Sequence, residues 1–190
     1  MMSNQIPFQR APAKLSIASL DGPIDLVVEA QYNPKDLQIT QPISWTDHAS
    51  TTGQNKDIVT EFGGAKPQTM QIELLFDGYE TGGVAGKFTV AQHIARLKQL
   101  ATVRYPGSDK EDERRPHYCL VAWGERGLPA LRCVIENLTT KYLMFSPSGQ
   151  VLRATCTVSV KEVDPAAIAR EQRHREERKN TINRRRGFSE

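Results

Sequence analysis

The hydrophobic pattern is clearest in the middle of the chain, where polar and apolar side chains alternate along residues 69–74. This alternation is typical of a β-strand that has one face in a core and the other toward polar surroundings. Three consecutive apolar residues at positions 74–76 then interrupt it, which predicts that the end of the strand is buried on both faces or twisted by a bulge. We expect a glycine turn at Gly63 and Gly64 to lead into this strand, and the strand to be the central one of the fold.

Further strands are predicted on both sides of this segment. Residues 13–20 and 24–32 alternate around an Asp-Gly-Pro turn and predict a hairpin. The hairpin ends at Asn33-Pro34, because proline has no amide hydrogen to donate. Residues 58–62 predict another short strand. The last third of the chain predicts an antiparallel meander, with strands at residues 118–123, 130–138, 141–145 and 151–163.

A core helix is predicted directly after the central segment. Thr89 and Gln92 have the spacing of a capping box, and Phe88 is placed as a hydrophobic staple. Residues 90–101 carry one apolar stripe at helical spacing, which we expect to face the sheet. His93 falls with the polar residues on the other side of this predicted helix.

A second helix is predicted near the end of the chain. Asp164 and Pro165 suit an N-cap and a first-turn proline, and residues 166–179 continue as a helix that is polar nearly all round. Only Ile168 and the alanines are available to dock it. We therefore expect this helix to project from the domain or to order against a partner.

These elements together predict a mainly β (α+β) fold, an antiparallel β-sandwich or barrel with one flanking helix and a polar helical tail. The predicted organisation is an N-terminal lead at residues 1–12, a β domain at residues 13–163 and a charged helical extension at residues 164–190. Within the β domain, residues 46–56 are polar and small, which predicts a surface loop or a long arm.

Composition limits the class of protein. The 190 residues are 38% hydrophobic and 25% charged, which is typical of one soluble domain with an appendage, and no apolar run approaches the length that spans a bilayer. Residues 1–14 have no apolar run of signal-peptide length, so we expect synthesis in the cytoplasm. The three cysteines form no CxxC pair and lie in β-like segments, so we interpret them as small buried hydrophobes.

The net charge of +3 is unevenly distributed along the chain. Residues 166–190 carry eight Lys and Arg against four Asp and Glu, whereas the rest of the chain carries 17 basic and 18 acidic residues. The predicted β domain is therefore close to neutral. A basic excess confined to the tail concerns the contacts of that tail.

The residues that could carry chemistry are scattered. The four histidines lie in unrelated contexts without the spacing of a metal site. Neither a GxSxG nucleophile motif nor a phosphate-binding GxxxxGK[ST] loop occurs. Glu73 and Asp77 lie on one strand, where two acids are more typical of a solvated face than of an acid/base pair. The sequence therefore predicts that the protein is not an enzyme, with no catalytic, metal-binding or cofactor-binding residue.

Several segments, taken in chain order, resemble one known family. Residues 31–37, Trp45 and residues 63–80 are similar to its pattern of FNP, W and GG followed by PQ.L.LELFFDTYE. Residues 116–124 are similar to its PP.C.F.WG strand, and residues 132–162 to its closing meander. The positions that carry the resemblance are Tyr32, Asn33, Pro34, Trp45, Gly63, Gly64, Pro67, Phe76, Asp77, Trp123, Gly149 and Arg153. The chain thus resembles the tube-type adaptor, or tube initiator, of contractile injection systems, which are contractile phage tails and phage-tail-like particles.

This resemblance implies a structural part of a bacterial machine. Relatives of this kind are similar to inner-tube proteins, in which six copies form a ring and their sheets line a channel. The implied adaptor lies between the spike or hub and the first tube ring, and it templates tube assembly. Its implied partners are itself as a hexamer, the inner-tube protein, the spike or hub protein, and sheath or baseplate wedge proteins. Nucleic acid is implied only as cargo of the channel if the particle is a phage, and membrane insertion is not implied.

Two surfaces are predicted to make the contacts of such a particle. Residues 46–56 and 108–115 are expected to make ring-to-ring contacts, and residues 166–190 to bind a sheath, baseplate or hub component. The candidate contact residues of the tail are Arg170, Arg173, Arg178, Arg184, Arg185 and Arg186. The alternatives are a principal inner-tube or other baseplate subunit of the same particle, and a nucleic-acid-binding module that uses the basic tail.

Overall fold

The protein is built on one seven-stranded antiparallel sheet, in a computed structural model that describes residues 14–21, 25–49, 58–109, 113–124, 128–171, 173–174 and 177. The strands within these residues are β1 (Leu15–Ser19), β2 (Val27–Glu29), β3 (Gln38–Thr40), β4 (Ile43–Ala49), β5 (Ile58–Ala65), β6 (Thr69–Asp77), β7 (Val84–Ala85), β8 (Phe88–Thr89), β9 (Tyr118–Trp123), β10 (Leu128–Phe145) and β11 (Val151–Glu162). The sheet order is β2, β1, β9, β10, β11, β6, β3, whereas β4 with β5 and β7 with β8 form separate pairs. The predicted mainly β class with antiparallel strands is confirmed.

One face of this sheet forms the core. Along β6 the buried side chains occupy alternate positions from Met70 to Phe76, as the hydrophobic pattern predicted. The helix α1 (Val90–Ala101) covers this face, and its buried apolar residues are Val90, Ile94, Leu97 and Leu100. A slip of one residue would move every apolar side chain of β6 to the outer face, so this burial fixes the register of the strand.

Two expectations about β6 are wrong. The side chain of Leu75 is exposed, and β6 pairs with β11 without a register shift from Thr69 to Asp77. The end of the strand is therefore neither buried on both faces nor bulged. β6 is also not the central strand, because it lies second from one edge, between β11 and β3. The three consecutive apolar residues instead place Leu75 on the outer face of the sheet.

The glycine pair lies inside a strand and not in a turn. Gly63 and Gly64 belong to β5, where the pairing shifts from Ser44 opposite Gly64 to Trp45 opposite Phe62. One extra residue, Gly63, is thus accommodated as a bulge. Gly64 has a φ of 112°, which side chains other than glycine rarely adopt. The prediction of a glycine turn before β6 is therefore wrong, because the two glycines form a bulge within β5.

The predicted strands at residues 130–138 and 141–145 are one continuous strand, β10. β10 pairs with β11 from Cys133 to Phe145, and register shifts after Ile135 and around Met144 absorb its irregularities. Bulges of this kind bend a long strand without ending it. The result is a long β10–β11 hairpin that extends to the turn before Val151.

A side chain that follows the edge strand β2 reaches the opposite edge of the sheet at β6. Gln31, just after β2, donates from its amide to the carbonyl of Asp77 at 2.8 Å, and its amide oxygen accepts from the N–H of Asp77 at 2.7 Å. β3 pairs with β6 only at residues 69–71, so β6 is itself an edge at Asp77. Gln31 therefore occupies the place of a neighbouring strand there. This one side-chain contact closes the sheet in part, toward the barrel form that the sequence predicted beside the sandwich.

The capping box at the start of α1 is confirmed. The hydroxyl of Thr89 accepts from the N–H of Gln92 at 3.2 Å, and the Gln92 side chain accepts from the N–H of Thr89 at 2.8 Å. The staple residue Phe88 packs edge-on against His93, with ring centroids 5.5 Å apart. The placement of His93 on the outer side of the helix is wrong, because its side chain is buried between Phe88 and Phe76.

The start of the C-terminal extension is docked on the domain. Residues 165–171 are helical, and the Asp164 carboxylate accepts from the N–H of Ala166 at 2.8 Å, as expected of an N-cap. Ile168 is buried. The expectation that this helix projects is therefore wrong for residues 165–171. Arg178, Arg184, Arg185 and Arg186 lie outside the described residues.

Candidate assembly surface

A two-stranded arm stands apart from the main sheet. We define the arm as β4 and β5, which pair only with each other among the described strands. It begins beside the first residue of β6, where the N–H of Lys66 bonds the carbonyl of Pro42 at 2.9 Å. The predicted loop or arm at residues 46–56 is therefore partly strand, since residues 46–49 lie in β4, while residues 50–57 lie outside the described residues.

One face of the arm carries exposed apolar side chains on either side of a central polar pair, in which the Thr60 hydroxyl donates to the Asp47 carboxylate at 2.8 Å. Trp45 pairs directly with Phe62, and their rings meet edge to face with centroids 5.4 Å apart. Ile58, opposite Ala49, lies on the same face because Ala49 is four positions along β4 from Trp45, an even number. Trp45 and Phe62 each remain 61% exposed, and Ile58 remains 73% exposed. We call this side of the arm the aromatic face.

The other face of the arm is mostly polar. His48 and Glu61 approach to 3.5 Å there, both well exposed. A two-stranded hairpin is marginally stable alone, and an exposed apolar patch rimmed by polar residues marks a contact surface. The aromatic face therefore lacks a partner within the described part of the chain and has the form of a subunit contact.

A second exposed apolar patch lies at the opposite end of the sheet. Near the β10–β11 turn, Tyr142, Leu143 and Phe145 are 42%, 45% and 54% exposed. The rings of Tyr142 and Phe145 lie 5.9 Å apart. The turn itself is closed by a bond from the N–H of Ser146 to the carbonyl of Gln150 at 2.8 Å. We call these three apolar residues the tip patch.

Three of the positions that carry the family resemblance, Tyr32, Asp77 and Arg153, meet at this same end of the sheet. Arg153 forms an ion pair with Asp77 at 2.6 Å, and both line a polar cleft of about 310 Å³ together with Tyr32 and Tyr79. The hydrogen bond from Arg153 lowers the pKa of the Asp77 carboxyl. These residues fix the β6–β11 ladder at its end. Gly149 follows in the β10–β11 turn, with a φ of 83°.

The remaining resemblance positions are dispersed. The side chain of Asn33 accepts from the N–H of Leu15 at 3.0 Å and so holds the start of β1. Phe76 is fully buried and Trp123 packs partly buried against the core. Pro34 is buried and Pro67 is exposed between β5 and β6. The structure thus divides the motif into core positions, the Asp77 end and the arm residues Trp45, Gly63 and Gly64.

A charged cluster that the sequence interpretation missed holds the C-terminal helix. Arg115 pairs with Asp21 at 2.7 Å and with Glu171 at 2.5 Å, and its guanidinium lies 3.6 Å from the centre of the Tyr118 ring. The Tyr118 hydroxyl donates to Glu171 at 2.7 Å. No local pattern predicts this cluster, because its members come from distant parts of the chain. Arg104 adds a longer contact of 3.6 Å to Asp21.

Burial and pairing compete in the ionisation of this cluster. Burial alone would raise the pKa of Asp21, but the hydrogen bonds from Arg115 and from the Tyr118 N–H outweigh it, so the pKa is lowered. Burial and the bond to Glu171 raise the pKa of Tyr118 to about 12. Near neutral pH the Asp21 carboxyl is therefore ionised, whereas the Tyr118 hydroxyl keeps its proton. Since Arg115 points inward, it is not available for the ring-to-ring contact expected of residues 108–115.

The candidate tail residues have a simpler setting. Arg170 and Arg173 are exposed on the helix, and each bonds the carbonyl four residues earlier, that of Ala166 and Ala169 respectively. They present charge on the outer side of the docked helix. Their role in partner contact stays a prediction.

The potential reactive groups of the described residues do not assemble into a site. No group of His, Cys, Asp and Glu among them is placed to hold a metal ion. All three cysteines are buried free thiols, and burial raises the pKa of Cys133 to about 12. Thiols so buried are inert hydrophobes under physiological conditions. Within the same residues, no helix is long and apolar enough to cross a membrane.

A β domain whose most exposed apolar side chains lie on a separate hairpin is typical of a subunit that assembles with others. Comparison with protein families defines that assembly. The model of the contractile injection system tube protein family matches residues 14–171. The chain belongs to this family. A search of curated proteins found no match.

Membership of this family gives the protein a structural role. It is a tube component of a contractile injection system, a class of protein that assembles with its own copies and with other tube components in the particle. The matched residues include the whole described sheet, the arm and the docked start of the C-terminal helix. The exposed aromatic face is thus part of the tube domain itself.

Proposed function

We propose that the protein is the adaptor that initiates the tube, a hexameric ring between the spike or hub and the first ring of the inner tube. The observation that carries this proposal is the arm, whose aromatic face is exposed on a domain of the tube family. A surface of this kind is buried when copies or neighbouring rings meet. The resemblance of residues 31–37, 63–80 and 132–162 to tube-type adaptors supports the initiator role in particular.

The proposed contact between copies is carried mainly by the arm. Residues 43–49 and 58–65 present the aromatic face, whereas Arg115 of the predicted second contact segment is engaged inside the chain with Asp21 and Glu171. The part of residues 108–115 that remains for contact is the stretch before Arg115. Sheath, wedge and hub proteins are the proposed partners of the exposed tail residues.

A seeding experiment tests the initiator role. The purified protein is added in small amounts to the inner-tube protein of the same particle, and tube growth is followed by light scattering and electron microscopy. An initiator shortens the lag before growth and is found at one end of each tube. Unchanged lag, with the protein absent from tube ends, would contradict the proposal.

The second candidate is the principal inner-tube subunit. The family model favours it, because that model describes a tube protein and matches almost the whole described domain. Copy number separates the two candidates. An initiator forms one closed ring in a particle, which is six copies in the proposed hexamer, whereas a principal subunit is present in every ring. Quantitative mass spectrometry of purified particles measures this number.

The tail contact requires a truncation that respects the docked helix. Ile168 is buried and Glu171 belongs to the charged cluster, so removing residues 166–190 would also damage the domain. Removing residues 178–190 spares both. We expect this shorter protein to fold with unchanged thermal stability and to assemble less efficiently with its particle partners. Normal particle assembly would refute the role of residues 178–190.

A further inference from the structure

Two exposed aromatic pairs lie at opposite ends of one domain. The aromatic face of the arm begins beside Thr69, the first residue of β6, while the tip patch lies near Asp77, the last residue. Strand pairing places the tip patch there, since Arg153 of β11 pairs with Asp77 of β6 on one side and with Met144 of β10 on the other. Eight steps of about 3.3 Å along β6 separate these ends by roughly 26 Å. The two surfaces therefore cannot cover each other within one copy by a local movement.

The two surfaces have matching chemistry. Each centres on a pair of touching aromatic rings, Trp45 with Phe62 and Tyr142 with Phe145. Aromatic side chains of this kind dominate the buried centres of protein interfaces.

Their charges are complementary as well. The arm strands carry the carboxylates Asp47 and Glu61 and no Lys or Arg. Residues 141–151 carry Lys141 and no carboxylate. An acidic arm that approaches a basic tip is favoured in orientation and rate, whereas an arm that approaches another arm brings like charges together.

We propose that the aromatic face of one copy binds the tip patch of the next copy. This contact rests on the proposed function, because it names the surface that receives the arm during self-assembly. It is heterologous, since it joins two different surfaces, and a pair of joined copies keeps one free arm and one free tip for further contacts. If the rotation between copies closes, the contact forms a ring, and otherwise it continues as a stack.

Two variants separate the halves of this contact. The arm variant is Trp45→Asp with Phe62→Asp, and the tip variant is Tyr142→Asp with Phe145→Asp. Val103→Asp is the control, because Val103 is an exposed apolar residue outside both surfaces. Thermal unfolding of each variant shows whether the domain is intact, and mass photometry with electron microscopy measures assembly.

The proposal makes a specific prediction for mixtures. Each variant alone stays a single copy under conditions in which the control and the unmodified protein assemble. The two variants mixed in equal amounts form complexes of two copies and nothing larger, because only one competent arm–tip contact can form. A variant that had lost its fold could not form this two-copy complex, so the complex shows that each variant fails alone only because one surface is changed.

Several results would overturn the proposal. A tip variant that assembles as the control does would show that the tip patch does not receive the arm, yet the initiator role, measured separately by seeding, would stand. A mixture with no two-copy complexes would contradict the arm–tip contact, and a single variant that pairs with itself would favour a contact between like surfaces. An unmodified protein that stays a single copy at every concentration would contradict a contact between copies.

Discussion

Replacing Arg115 by methionine tests how the C-terminal helix is held on the domain. Arg115 bridges Asp21, whose side chain is 4% exposed, and Glu171, whose side chain is 21% exposed. Removing one partner of a buried ion pair costs about 3–5 kcal/mol, because the other charge is left uncompensated. Arg104 still approaches Asp21, so we expect the lower end, a loss of about 3 kcal/mol in the free energy of unfolding.

The measurement is urea unfolding of Arg115→Met beside Glu171→Gln. Glu171→Gln removes one ionic contact, while its amide oxygen still accepts from the Tyr118 hydroxyl, so we expect a loss of about 1 kcal/mol. The double variant should lose less than the sum, because both changes break the same bridge. A loss below about 0.5 kcal/mol for Arg115→Met, the range of ordinary surface changes, would refute the view that this cluster anchors the helix.

The pH dependence gives a second test of the same cluster. The pKa of Asp21 is lowered in the folded protein, so the stability it contributes is present above its unfolded value of 3.8 and is lost as the pH falls through the folded pKa. The difference between the unmodified protein and Arg115→Met should therefore be largest near neutral pH and shrink below pH 3.8. A difference independent of pH would contradict this assignment.

Three further predictions concern the core. Burial lowers the pKa of His93, although its bond to the Ala85 carbonyl opposes the shift, so the free energy of unfolding should fall as the pH drops below the unfolded pKa of 6.5. His93→Phe should make the free energy of unfolding, measured in urea, depend less on pH in this range. An unchanged pH dependence would refute this assignment. A Cβ at Gly78 would lie 2.5 Å from the backbone of Gly83, so Gly78→Ala should lower the free energy of unfolding in urea by about 2 kcal/mol or more. Gly107 has open space around it, so Gly107→Ala should leave this free energy nearly unchanged. The three buried thiols should resist iodoacetamide at pH 8 until the protein unfolds, as mass spectrometry would show, and rapid labelling of the folded protein would contradict their burial.

The sequence predicted the features that depend on local pattern. The alternation of residues 69–74 identified β6 because a strand exposes alternate side chains to different environments. The capping box of Thr89 and Gln92 identified the start of α1, since its two hydrogen bonds join residues three apart. The N-cap at Asp164 was found for the same reason.

The arm was only partly predictable. Its polar residues, such as Asp47 and His48, suggested a loop, and the strand character of β4 depends on pairing with β5 across the hairpin. The aromatic face was not recognised as exposed, because a sequence pattern shows that Trp45 and Phe62 are apolar but not what covers them. The glycine pair was misplaced for a related reason, since a bulge depends on the register of the partner strand.

The features that failed depend on distant parts of the chain. His93 was assigned to the outer face of α1, yet the β7–β8 hairpin supplies the carbonyl of Ala85 that its ring nitrogen contacts at 2.7 Å. Arg115 lies 94 residues from Asp21 and 56 from Glu171. Apolar periodicity carries no information about such pairs, so the docked C-terminal helix was expected to project.

Cryo-electron microscopy of the purified protein, alone and with its inner-tube protein, would show directly whether the copies assemble through the arm. We expect closed rings with six-fold symmetry, or stacks of them, in which the aromatic face of each arm is covered by a neighbouring copy. A protein that remains a single copy in both samples, or rings in which Trp45 and Phe62 stay exposed to solvent, would contradict the claim that this tube domain assembles through its arm.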